Sequence, residues 1–358
     1  MQGKFEPRYN LDPEYQRRHR WSIERKSRLI ESFLMNIPVP PVFLYERDLA
    51  RFEVMDGRQR LTALSEFYAD EFSLQGLQYW TDLHGKTYSN LPSKIRDGID
   101  RRYISSIILL KETAKDEKQA AQLKKMVFER LNSGGVKLSS QETRNAVYDG
   151  PLNQVCLKLS KNPEFRSMWG IPNELKPETE KYGELEERDE APSKGRSMFE
   201  KMEDVELILR FFAYRQISSY SAGLNKISAF LDRFLIKGNE FTPEVLTAYE
   251  AMFKSTISFL FQLFGDKAFC RMNKNGKPTR PPTKIVYDPL MYVSSQFSQG
   301  PDGGKLLAEK EVLLSELSNM YKEHNQLFAG RRTNSSDTQQ RNAKVADAFN
   351  YAINKLKI

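Results

Sequence analysis

The stretch VMDGRQRLTALSEF, residues 54–67, sets an acid, a glycine and three long polar side chains where an apolar strand pattern gives way to a helical one. A helix beginning at about Gly57 would leave its first amides without intrahelical partners and aim its dipole at the preceding turn. Arg58, Gln59 and Arg60 then lie in the first turn. An anion placed there gains backbone donors and one or two guanidinium forks. Asp56 is expected at the N-cap, where it could cap the helix, accept from a ribose hydroxyl or hold Mg²⁺ beside a phosphate. A plain alternative stays open: a capped helix whose arginines are solvated. Against it, a helix dipole opposes cations at its N-terminus by some tenths of a kcal/mol each (~0.3–1), and an anion between them would relieve this.

Two further clusters carry similar chemistry. In PEYQRRHRW, residues 13–21, Tyr15, His19 and Trp21 offer flat surfaces, and Gln16, Arg17, Arg18 and Arg20 offer donors. Aromatics interleaved with bases suit a nucleobase or a phosphate backbone, though a basic arm anchored by its aromatics reads the same way. In FERLNSGGVKLSSQE, residues 128–142, Asn132, Ser133, Gly134 and Gly135 could form an amide nest for an anion; a helix stop followed by a helix cap is the alternative. A third basic stretch, RMNKNGKPTRPPTK at 271–284, holds five bases and no acid. Its Arg271, Lys274, Lys277, Arg280 and Lys284 are candidates for DNA phosphate contact.

Other chemistries are disfavoured. The three histidines, His19, His84 and His324, are scattered, and Cys156 and Cys270 are far apart, so neither a zinc motif nor a disulfide framework can be read. GxSxG and GxxxxGKS are missing. Net charge is +8, which favours anionic partners without naming one. The N-terminus lacks the apolar core of a signal peptide, and no apolar run is long enough to span a bilayer, so a cytoplasmic protein without membrane contact is expected.

The elements that must position these residues follow from local signals. SIERKSRLIESFLMN reads as a helix capped by Ser22 and stopped by IPVPP. VFLYE (42–46) and RFEVM (51–55), separated by RDLA, read as a hairpin; RLTALSEFYA follows as a helix. FSLQGLQYW (72–80) is read as a further pair of short strands. PSKIRDGIDRR starts like a helix, YISSIILLK (103–111) is a strand candidate, and 116–131 is a helix. Ser139 and Glu142 form a capping-box pattern that opens another. Residues 174–190 hold eight acids and three bases, so a flexible acidic segment is expected at about 174–195. Beyond it MEDVELILRFFAYR, KISAFLDRFLIK, TPEVLTAYEAMFKSTISFLFQLFG, KLLAEKEVLLSELSNMYKEH and VADAFNYAINKLK show helical periodicity. The expected class is α+β: a small mixed sheet within 1–150, then a mostly helical region over 151–358.

Taken in order, YQRRHRW, IPVPPVFLYE, EVMDGRQRLTAL and FERLNSGGVKLSSQETRNAVYDG resemble the DUF262 family, the ParB/sulfiredoxin-like domain at the front of GmrSD-type restriction enzymes and related phage-defence proteins. The resemblance is strong over residues 9–150 and looser beyond. It implies a ParB-like nucleotide-binding domain with a pocket between the YQR segment and the DGRQR turn. It also implies NTP hydrolysis with Mg²⁺, coupled to control of DNA cleavage. The family's usual motif is DGQQR; Arg58 replaces a glutamine here, which keeps donors, loses an acceptor and adds charge. Carried onto this chain, the resemblance implies a nucleotide held by Tyr15, Gln16, Arg17, Trp21, Gly57, Arg58, Arg60, Asn132 and Gly135. Asp56, Gln59, Arg60 and Gln16 are the expected catalytic groups, and Asp56 is also the expected metal ligand. After residue 150 only His324 could serve a His-Asn-His nuclease, so a form without that domain is expected, with DNA and a partner nuclease as associates. The competing readings are a non-catalytic DNA-binding module and a metal-dependent DNA nuclease.

Overall fold

A computed structural model of the chain describes residues 9–10, 21–110, 116–131, 139–172, 194–216, 227–272, 278–279, 281–329 and 335–355. The described chain is α+β and divides into two compact units. One is residues 1–138 with 145–147, and the other is 139–144 with 148–358.

The first unit is built on a four-stranded sheet. After the two-residue β1 (Tyr9–Asn10) come α1 (Ile23–Leu34), β2 (Val42–Asp48), β3 (Arg51–Asp56), α2 (Arg58–Tyr68), α3 (Ser93–Asp100), β4 (Ser106–Leu109) and α4 (Glu117–Leu131). The strand order is β1-β3-β2-β4. β2 and β3 form the expected antiparallel hairpin, whereas β1 on β3 and β4 on β2 run parallel. The turn is tighter than the RDLA pattern implied. Arg47 and Asp48 extend β2, and the Asp48 and Glu46 carboxylates accept from the amides of Leu49 and Ala50.

Alternation on the strands separates two cores. On one face Val42, Leu44 and Val54 pack with Leu61 of α2 and with Ile104; Leu29 and Phe33 of α1 join Ala63 of α2 there. The other face buries Tyr45 and Met55 with Val127 of α4 and Ala146. On that same face Glu53 is buried and accepts from Lys124 of α4 at 2.8 Å through both oxygens, under a cation–π contact to Tyr45. A charge removed from water in this way requires such a partner.

Residues 72–80 do not form the expected strands. Phe72, Leu74 and Leu77 enter the core with Ile30, Phe67 and Ile99; the Leu74 amide donates to the Lys86 carbonyl, but four other amides of this segment go to side chains of α1. Ser27 accepts from Gln75 N–H at 2.9 Å, and Glu31 accepts from Gln78, Tyr79 and Trp80 at 3.2, 2.7 and 3.0 Å. With those donors engaged, no strand ladder is needed to satisfy them. Burial works to raise the Glu31 carboxyl, but the Trp80, Tyr79 and Gln78 amides and the nearby Arg28 outweigh it and hold it below the usual carboxylate range.

The second unit is helical. Its elements are α5 (Ser140–Val147, which the unit boundary divides), α6 (Pro151–Leu159), α7 (Pro163–Trp169), α8 (Lys194–Glu200), α9 (Glu203–Tyr214), α10 (Ile227–Gly238) and α11 (Pro243–Phe264). After a short hairpin of β5 (Arg271–Met272) and β6 (Pro278–Thr279) come α12 (Lys284–Phe297), α13 (Pro301–Ala308), α14 (Lys310–Glu323) and α15 (Ser335–Lys355). The Ser139–Glu142 capping box is present at the start of α5. KLLAEKEVLLSELSNMYKEH is two helices rather than one, broken at Glu309, whose φ of −116° and ψ of 42° lie outside the helical region. Phe165, Phe212, Phe253 and Tyr287 form the aromatic centre of this unit. Arg144 is buried and answered by Glu206 and Asp232 at 2.9 and 2.8 Å, and Arg210 is answered by Asp288. The acidic segment at 174–190 lies outside the described residues.

Candidate functional site

The strand-to-helix turn at Asp56–Gly57 is shaped by an irregularity in the hairpin. Phe43 faces Asp56, but the next β2 residue, Leu44, faces Val54, so Met55 is an extra residue on β3. A bulge of this kind bends its strand and re-aims the side chain beside it. Asp56 is therefore the last strand residue and not the helix cap, correcting the sequence expectation by one position. The cap is Gly57, at φ 95° and ψ 6°, and the first helical bond runs from Leu61 N–H to its carbonyl at 3.0 Å. Having no side chain, Gly57 leaves the α2 N-terminus without a side-chain cap.

Gly57 is required for two reasons. Its φ lies in the left-handed region that L side chains rarely adopt, and a Cβ there would stand 2.5 Å from Val42 Cγ1 and 2.9 Å from Arg60 Nη2. The backbone thus passes close over the end of β2, and the α2 amides follow directly.

Arg60 locks the turn. Its Nη2 donates to the Pro41 carbonyl at 3.1 Å and to Asp56 Oδ2 at 3.0 Å. The Arg60 side chain is only 15% exposed and that of Asp56 is 44% exposed, so the acid opens to solvent while the base is held beneath it. Arg60 Nε is buried and has no hydrogen-bond partner among the described residues. Gln59 ties the turn to the start of α1: its Oε1 accepts from the Trp21 backbone N–H at 3.2 Å. Ser22 caps α1 as expected, and Arg25 lays its guanidinium over the Trp21 indole at 4.8 Å. Trp21, Arg25, Gln59, Arg60 and Asp56 are thereby joined around the N-termini of α1 and α2. Arg58 opens α2 and is half-buried.

Of the expected site residues, the structure brings together Trp21, Asp56, Gly57, Arg58, Gln59 and Arg60. Tyr15, Gln16, Arg17, Asn132 and Gly135 lie outside the described residues. Two participants escaped the sequence reading. The Pro41 carbonyl belongs to a proline run read only as a helix stop, and Arg25 lacked any signal beyond its i, i+4 spacing from Trp21.

The candidate DNA segment is only partly described. Arg271 pairs with Thr279 in the β5–β6 hairpin and is half-buried. Lys284, the first residue of α12, lies 3.1 Å from Glu206 and 3.4 Å from Glu203, so its charge is answered within the protein. Burial works to raise the Glu206 carboxyl, but Lys284, Arg144 and Arg210 hold it below the usual range. Lys274, Lys277 and Arg280 lie outside the described residues.

Asp56 is the carboxylate offered at the turn, and among the described residues no group of three or more His, Cys, Asp or Glu side chains could hold a metal. One carboxylate does not make a protein cage. It does fit Mg²⁺, which is commonly held by phosphates, waters and one or two carboxylates.

The site is thus an α+β unit whose bulged hairpin leads into a helix N-terminus carrying Arg58 and Arg60. Residues 3–148 match the family model described as the GmrSD restriction endonuclease N-terminal domain, and this part of the chain is similar to that domain. Comparisons with curated proteins and with solved structures return no match. Among the described residues no helix is long and apolar enough to cross a membrane.

Proposed function

We propose that residues 1–150 form a nucleotide-binding domain that holds the phosphates of a nucleoside triphosphate at the N-terminus of α2 and hydrolyses it. In this reading the protein is a component of a restriction-type defence system that acts on DNA through a partner nuclease. The observation that carries the proposal is the uncapped turn at Gly57 with Arg60 fixed beneath it. Backbone donors and a preorganised guanidinium at one place are what a transferring phosphoryl group requires.

Each residue has a role in this reading. The α2 amides, Arg58 and Arg60 bind phosphate oxygens, with Arg17 closing from the YQR segment. Arg60 keeps its orientation because Pro41 and Asp56 fix the same terminal nitrogen. Trp21 offers a flat surface beside the turn. Gln59, oriented through Trp21, and Gln16 position the attacking water, and Asp56 is the carboxylate that would hold Mg²⁺ or that water. When bound, Mg²⁺ neutralises charge on the phosphate oxygens. Arg58 in place of the usual glutamine strengthens the phosphate grip and removes an acceptor, leaving water positioning to Gln16 and Gln59.

Phosphate release from each of the four common NTPs, with Mg²⁺ and with or without DNA, tests hydrolysis. Asp56→Ala and Arg60→Ala are expected to lower the rate roughly 10²–10³-fold, the usual loss when one preorganised group is removed. Absence of release from every nucleotide in the wild type would sink the hydrolytic reading.

A further inference from the structure

The segment that follows α2 turns its aliphatic side chains inward and two aromatic ones outward. Leu74, Leu77 and Leu83 are buried in the core of the first unit, whereas Tyr79 is 70% exposed and Trp80 is 37% exposed. Gln78 beside them is exposed as well. The surface left to water at this tip is therefore two rings and a carboxamide, without an aliphatic patch.

The backbone that carries the rings is held firmly. Glu31, itself buried, accepts from the consecutive amides of Gln78, Tyr79 and Trp80. Ser27, one turn earlier on α1, accepts from Gln75 N–H. Gly76 passes so close to α1 that a Cβ there would stand 3.1 Å from Glu24 Cγ. On the far side the Trp80 carbonyl accepts from Leu83 N–H at 2.9 Å. A buried carboxylate requires donors, and here those donors are the amides of the tip. The charge that α1 buries thus fixes two exposed rings, and a rigid element loses little freedom when it binds.

Cations stand beside the tip. Glu24, Ser27 and Glu31 lie on one stripe of α1, and Arg25 and Arg28, both exposed, lie on the stripe next to it. Arg28 is close enough to Glu31 to help hold its carboxyl low. Residues 72–81 carry no charge of their own, so the positive charge at this face comes from α1.

We infer that Tyr79 and Trp80 form a stacking platform for an unpaired base of a DNA strand whose phosphates run along Arg25 and Arg28. Flat rings flanked by guanidinium groups match a base attached to a phosphate backbone. Exposed aliphatic side chains, which would suit an apolar protein surface, are missing from the tip. The strand must be unpaired, because a base within a duplex has its faces covered by its neighbours. The inference does not depend on nucleotide binding at the α2 N-terminus.

Fluorescence anisotropy of a labelled single-stranded oligonucleotide, titrated with the full chain at one fixed salt concentration, tests it. Three probes are compared: the strand, the same strand in a duplex, and an abasic strand that keeps the phosphates and lacks the bases. The wild type is expected to bind the intact strand most tightly. Tyr79→Ala, with its unfolding midpoint checked, is expected to weaken binding of the intact strand roughly 10-fold and that of the abasic strand hardly at all, while Tyr79→Phe restores it. Trp80→Phe keeps a ring for packing and stacking and should bind almost as the wild type does. Arg28→Glu should weaken the intact and abasic strands alike. No binding of the strand, equal binding of intact and abasic strands, or a preference for duplex overturns the inference. A folded Tyr79→Ala that binds the strand as the wild type does also overturns it, and would assign the rings to a protein partner instead.

Discussion

Replacing Gly57 with alanine should damage the turn by an amount that its geometry allows to be separated into two parts. The backbone part comes from φ 95°, a conformation that costs a side-chain-bearing residue about 1–3 kcal/mol. The steric part comes from the new Cβ, 2.5 Å from Val42 Cγ1 and 3.0 Å from Val42 Cβ. Val42 cannot retreat: it is 4% exposed, packs in the core with Leu44 and Val54, and its amide is held by Ser105. Overpacking at such a site costs about 1–3 kcal/mol, so Gly57→Ala should lose about 2–6 kcal/mol in all. Gly85→Ala is the internal control, because Gly85 also has a positive φ, 78°, but has open space where its Cβ would go. It should lose the backbone part alone. Urea unfolding followed by tryptophan fluorescence measures both, and the difference between them isolates the steric part. The Cβ would also stand 2.9 Å from Arg60 Nη2, so nucleotide affinity should fall in Gly57→Ala and not in Gly85→Ala. Equal destabilisation by the two substitutions would refute the close approach on which this site rests.

Three further outcomes are expected. Arg60→Lys keeps the charge but cannot span Pro41 and Asp56 with a planar fork; a fluorescent-nucleotide titration should show affinity reduced roughly 10-fold or more, about 1.4 kcal/mol. Glu31→Gln weakens the clamp on residues 78–80 and should cost about 1.5–3 kcal/mol, the range for bonds to a charged acceptor. The Glu31 carboxyl is depressed in the folded protein, so its contribution is full above the usual carboxylate value of about 4.3 and is lost as pH falls through the depressed folded value. The gap between wild type and Glu31→Gln in a pH series of unfolding midpoints should therefore close on the acid side. In the second unit, Asp288→Ala leaves Arg210 buried without its carboxylate partner and should cost about 3–5 kcal/mol, while Asp288→Leu combined with Arg210→Met should cost much less, since both charges leave together.

What was legible in the sequence was what local chemistry decides. Ser22 and the Ser139–Glu142 box announce their helices because the cap bonds span three residues. The hairpin follows from alternation on both strands. FSLQGLQYW failed because the amides of Gln75, Gln78, Tyr79 and Trp80 are satisfied by Ser27 and Glu31, nearly fifty residues earlier, and no local pattern records such a partner. Helices α6 and α7 escaped separate notice although Asn162–Pro163 is a cap followed by a proline at the first helical position. At the site, residue types and order pointed to Asp56 through Arg60. The bulge at Met55, which makes Asp56 a strand residue, depends on pairing with β2 and is invisible in the chain. The roles of the Pro41 carbonyl and of Arg25 over Trp21 likewise arise only when the two helix N-termini meet.

The central claim, that the Gly57 turn and Arg60 hold triphosphate, is tested most directly by calorimetric titration of the full chain with Mg²⁺–NTP, beside Arg60→Ala and Asp56→Ala variants whose unfolding midpoints are checked first. Saturable binding of at least one nucleotide by the wild type, weakened about 10-fold or more in Arg60→Ala, is the expected result. Nucleotide binding that is unaffected by both substitutions, or no binding of any NTP by the wild type, would contradict it.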